Sequence, residues 1–142
     1  MTNLPSSIVA AAAALALAAA CAPAGAAPKD LNRSLDRATE KGLFKVSVRS
    51  AEQPIPMNRI HRWTVTVTDA GGRPVPGASI RVDGGMPEHG HGLPTAPRAA
   101  PAGAPGRYVI HGMKFSMDGW WELKLAIAAG GRSDQVTYNI VL

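Results

Sequence analysis

The sequence predicts an all-β sandwich of about six or seven strands, and three observations predict it. Apolar and polar residues alternate with period two in several short runs. Gly- and Pro-rich segments separate those runs. No long amphipathic helical pattern interrupts them, which leaves sheet-on-sheet packing as the way to bury the apolar faces. A domain over residues 43–142 is large enough to close one modest core.

The elements follow in chain order. Residues 1–21, MTNLPSSIVAAAAALALAAAC, carry no charged side chain and contain an apolar run from Ile8 to Ala20. That run has the length of a secretory h-region and falls short of the roughly 20 residues that span a bilayer, so it reads as a signal peptide. Leu17-Ala18-Ala19-Ala20-Cys21 resembles a lipobox, and Ala24-Gly25-Ala26 offers an ordinary cleavage site. The expected location is therefore the periplasm or a lipoprotein tether with a lipid anchor at Cys21. Cys21 is the only cysteine, so the domain holds no internal disulfide and no Cys-based zinc cluster. Residues 22–42 are small, polar and Pro-containing at first and read as a tether, with a short helix expected at Leu31–Glu40.

Leu43 to Arg49 alternates, and His61 to Asp69 does so more cleanly, with Trp63, Val65 and Val67 on one face and Thr64, Thr66 and Thr68 on the other. Asp69 to Gly77 is a turn by its Gly and Pro content. Ala78 to Asp83 is a third strand. Residues 84–106 read as one long loop, the kind that in a compact domain carries function. Arg107 to Phe115, Trp120 to Ala128 and Gln135 to Leu142 complete the set, with Trp121, Leu123, Leu125 and Ile127 sharing a face.

The formal net charge is +5, spread over isolated Lys and Arg residues with few aromatics between them. That pattern argues against nucleic-acid binding and describes a solvated surface. Catalytic signatures are missing from the sequence. It has no phosphate loop, nucleophile elbow or HExxH, and the reading is a protein that is not an enzyme.

The informative feature is a Met and His constellation. Met86, His89 and His91 fall in GGMPEHGHG, and His111, Met113, Phe115 and Met117 follow at spacing two, on one face if the strand stays extended that far. Thioether sulfur suits Cu(I), and imidazole suits Cu(I) and Cu(II). A Cys-free donor set also survives an oxidising compartment. Gly90 and Gly92 allow the loop to turn both imidazoles to one centre. The candidate ligands are Met86, His89, His91, Met113 and Met117, with Cu(I) favoured over Cu(II) and zinc the weaker choice. Glu88 is placed to support an imidazole from behind. His61 opens a strand beside Arg62 and reads as a structural or exposed residue.

Met86-Pro87-Glu88-His89-Gly90-His91-Gly92, followed by Gly112-Met113-x-Phe115-x-Met117-x-Gly119-x-Trp121, resembles small exported bacterial proteins of the YtkA-like and FixH-like group, over about residues 43–142. The resemblance implies an immunoglobulin-like β-sandwich in the envelope. FixH-like members imply copper delivery to a cytochrome oxidase under assembly, with a copper donor or acceptor protein as partner. Some similar sequences carry an auxin-binding label. The functional expectation is a copper carrier or buffer. Two others stand beside it: a metal-free interaction module built on the glycine loop and Trp120, and a binder of a small aromatic acid through Trp63, Trp120 or Trp121 with an Arg.

Overall fold

A computed structural model describes residues 28–142; the signal peptide, lipobox and Cys21 expected within residues 1–27 lie outside the described residues. Nine strands appear: β1 (Asp36–Ala38), β2 (Phe44–Ser50), β3 (His61–Asp69), β4 (Ser79–Met86), β5 (His91–Gly92), β6 (Arg98–Pro101), β7 (Arg107–Met113), β8 (Trp120–Ala129) and β9 (Arg132–Val141). They form two antiparallel sheets, ordered β1-β2-β3-β7-β6 and β5-β4-β8-β9. Among the described residues, no helix is long and apolar enough to cross a membrane.

Alternation places the core. Trp63, Val65 and Val67 of β3 are buried, as are Trp121, Leu123, Leu125 and Ile127 of β8, and the two rows face each other between the sheets. Each such side chain contributes about 1.5–3 kcal/mol of hydrophobic stabilisation. The tyrosines bridge layers with their hydroxyls: Tyr138 of β9 donates to the Val46 carbonyl of β2 at 2.8 Å. Burial raises the Tyr138 phenol well above its ordinary pKa.

Three expectations are corrected, and the neighbours of the flanking strands are fixed. The segment expected to be helical at Leu31–Glu40 contains strand β1, which pairs with β2. The supposed long loop 84–106 contains the end of β4 and two short strands, β5 and β6. The strands on either side of it are not neighbours, because β4 pairs with β8 in one sheet and β7 with β3 in the other. Finally, His111 and Met113 do not share a face. Trp63 pairs with Ile110 and His61 with Met113, so β7 carries one residue more than β3 over that step. Gly112, at φ +81°, absorbs the bulge. His111 therefore points to solvent and Met113 into the core.

Candidate metal site

The site is built at the pole where β4, β7 and β9 end and β3 and β8 begin. The β4–β5 hairpin turns through Pro87, Glu88, His89 and Gly90, and the amides of His89 and Gly90 both donate to the Met86 carbonyl, at 3.1 and 2.9 Å. Gly90 sits at φ +65°, as the tight turn requires, while Gly92 belongs to strand β5.

Met86 and His91 are direct partners across the hairpin, so their side chains leave on the same side. Extending the β4–β8 register by one residue sets Met86 opposite Trp121, which in turn pairs with Ile140. A row His91–Met86–Trp121–Ile140 thus crosses the inner face of the second sheet. His91 closes its outer end, ring centroid 5.6 Å from that of Trp121 and tilted 67° to it. The His89 ring stacks on His91 at 6.0 Å, and both histidines are exposed. The Trp121 indole donates to the Met117 carbonyl at 3.1 Å, which ties the Met113–Gly119 segment to the same ring.

The donor groups differ in accessibility. Met117 is 39% exposed, whereas Met86 is buried at 1%. A Cβ placed on Gly119 would stand 2.8 Å from the Met86 methyl and 4.0 Å from Glu88 Oε2, so the missing side chain leaves that space to Met86. Met113 is fully buried in the opposite sheet, facing His61 across the β3–β7 ladder. The structure therefore brings Met86, His89 and His91 to the Trp121 side of the hairpin, touches that ring with the Met117 carbonyl, and sets Met113 opposite His61.

The electrostatics favour His91 as a donor. Its Nδ1 lies 3.1 Å from the Gly92 carbonyl. A carbonyl only accepts, so Nδ1 carries the proton and Nε2 presents its lone pair to solvent. Metal-bound imidazoles are commonly held this way. The backbone, not Glu88, supplies this hydrogen bond. Glu122 is already engaged, with Lys124 Nζ at 2.8 Å, and this hydrogen bond raises the lysine pKa. A shallow cleft of about 330 Å³ adjoins the hairpin, lined by Asp83, Met86, His91, Glu122 and Lys124 among others. Among the described residues, no group of three or more His, Cys, Asp or Glu could hold a metal ion. Any metal held at this pole would therefore need thioether donors, and a set of imidazole and thioether donors suits a soft cation.

Sequence reasoning missed one residue here. His61 is buried at 3%, and its phase in the alternation, in step with Trp63, Val65 and Val67, was the available signal. Of the tryptophans expected to stack an aromatic ligand, Trp63 and Trp121 are fully buried and offer no face, while Trp120 is half-buried.

No curated protein matches the chain. Among solved structures it is similar to the ZirS C-terminal domain, at 12% identity and a TM-score of 0.40, with 94% of this chain and 88% of that one covered. The YtkA-like family model matches residues 39–126, more than half of the sequence and all of the β4–β5 hairpin with Met113, Met117 and Trp121, and the chain belongs to the YtkA-like family.

Proposed function

We propose that this small all-β protein is an exported copper carrier or buffer, held in the periplasm or tethered to the membrane through Cys21, that serves metalloenzyme assembly without being an enzyme itself. The observation that carries the reading is the hairpin tip. Two exposed imidazoles stack there, one of them with its Nε2 presented by a backbone hydrogen bond; the Met86 side chain leaves the hairpin on the same side as His91, and the exposed Met117 follows in the segment whose backbone accepts from the Trp121 indole. When bound, copper would supply one-electron chemistry to its acceptor; the residues of this chain bind and orient it.

The tether supports the same picture. Asn139 donates to the Asn32 carbonyl at 2.9 Å and accepts from the Trp120 indole at 3.0 Å, so the chain enters the fold at the pole that carries the site. An anchor at Cys21 would keep that pole near the membrane, within reach of a copper donor or acceptor protein.

The test is a titration of the purified chain, with Cu(I) followed by competition against a chromophoric chelator and Cu(II) by visible absorbance. The expected result is tight binding of Cu(I), weakened at least about tenfold in His89→Ala/His91→Ala. Absence of binding in both oxidation states would sink this reading. The second reading, a metal-free interaction module, is favoured by a different observation: the exposed large apolar side chains Met57, Ile60, Met117 and Val141 all lie at this pole.

A further inference from the structure

The pole contains a second pair of soft donors. His61 opens β3 and is 3% exposed. Its Nδ1 lies 3.0 Å from the Arg59 carbonyl, which fixes the proton on Nδ1 and leaves a lone pair on Nε2. That Nε2 is buried and has no hydrogen-bond partner among the described residues. A buried acceptor left without a partner is destabilising, so something must satisfy it or the fold bears the cost.

The surroundings restrict what could satisfy it. Met113 is the direct partner of His61 across the antiparallel ladder, and both side chains turn inward. The rings of Phe115 and Trp63 stand 5.7 and 6.5 Å from the imidazole. Phe115 packs at 5.2 Å on Trp121, the ring that carries His91. Met57, bridged to Phe115, is 39% exposed and puts a further thioether at the solvent side.

We infer that His61 Nε2 and the Met113 thioether form an inner site for a soft monovalent cation, Cu(I) or Ag(I), distinct from the exposed hairpin site. The chemistry is consistent at each step. The imidazole is pre-set in the ligating tautomer by a backbone carbonyl, as in metal-bound histidines. Sulfur and imidazole are the donors such ions prefer. A low-charge cation that accepts few ligands tolerates an apolar pocket better than a divalent ion with a full hydration shell. The inference stands independently of the hairpin site, since none of Met86, His89, His91 and Met117 belongs to it.

The test uses Ag(I), which has no redox chemistry under these conditions, with the full chain carrying Cys21→Ser, Met86→Leu, His89→Ala, His91→Ala and Met117→Leu to remove the thiol and the hairpin donors. Binding is followed by calorimetry and by the ¹⁵N resonances of the His61 ring. The expected result is one Ag(I) bound, a shift confined to Nε2 of His61, and affinity lowered at least about tenfold by adding Met113→Leu. His61→Phe, which fills the pocket with an aromatic ring, should abolish binding. The ring resonances of the background chain need no substitution at His61 or Met113, so they decide the matter even where those variants misfold. An unmoved Nε2 resonance at saturating Ag(I) would overturn the site. The lone pair would then belong to an internal water shared with the Trp63 indole N–H, the other buried orphan of this region. Failure of the hairpin site is read separately, from the unsubstituted chain.

Discussion

Single atoms decide what this pole can do. The same device appears twice: a backbone carbonyl holds Nδ1 of His91 and of His61, so each ring offers Nε2, one to solvent and one to the interior. Gly119 matters for a different reason. Its φ is +125°, and an added Cβ would lie 2.8 Å from the Met86 methyl. Gly119→Ala therefore carries a backbone cost and a contact cost, together about 1–3 kcal/mol. Gly103 separates the two, because its φ is +82° and an added Cβ there would meet nothing within 4 Å. Thermal unfolding should show a larger loss for Gly119→Ala than for Gly103→Ala. Cu(I) affinity should fall only in the former, because Met86 must move. Equal losses in both variants, with unchanged affinity, would mean that Met86 neither feels Gly119 nor contributes to the site.

Elements carry the longer-range constraints, and Tyr108 of β7 is the clearest. Its hydroxyl accepts from the Ala78 amide at 2.8 Å and donates to the Val75 carbonyl at 2.6 Å, which pins the crossover from β3 to β4 against the other sheet. Tyr108→Phe leaves both groups without that partner and should cost about 1–3 kcal/mol. In urea the midpoint should fall with an unchanged slope, since the same surface is exposed on unfolding. An unchanged midpoint would show that the crossover holds by packing alone. The long elements were legible in the sequence because burial imposes a period: β3 begins and ends where Trp63, Val65 and Val67 said it would, and β8 buries its expected face. The short ones were not. β1, β5 and β6 have two to four residues each, too few to show alternation, and they are specified by pairing with distant partners. At the site, the closeness of Met86, His89 and His91 could be read from their spacing in one turn. The facing of Met113 toward His61 could not, because a one-residue bulge at Gly112 reverses every side-chain direction beyond it.

At the scale of the whole molecule, the two sheets are joined by the chain that leads into them. The segment from Asn32 to Leu43 contributes β1 to one sheet and bonds along the edge of β9 in the other. Arg37 donates to the Thr137 carbonyl, and the Glu40 amide donates to the Gln135 carbonyl at 2.8 Å. This covers a ten-residue edge strand that would otherwise present unpaired backbone to other chains. Its latch is Asp134, whose carboxylate accepts from the amides of Lys41, Leu43 and Gln135. Burial alone would raise its pKa, but hydrogen bonds from Thr39 and these amides overcome that and bring it from the usual 3.8 to about 2. A carboxyl whose folded pKa lies below its unfolded value stabilises the fold above the unfolded value, and the contribution is lost as pH falls through the folded one. Stability should therefore decline between about pH 4 and pH 2. Asp36, held low by Ser47 and Arg49, and Asp69, held low by the Arg73 amide and side chain, add to the same decline. Comparison with Asp134→Asn isolates the latch. The variant should be less stable than the parent at neutral pH, vary less on acidification, and converge with the parent near pH 2 in urea unfolding across a pH series. Parallel curves for the two proteins would mean that the latch does not titrate with folding, and that the clasp between the sheets rests on Arg37 and the Glu40 backbone instead.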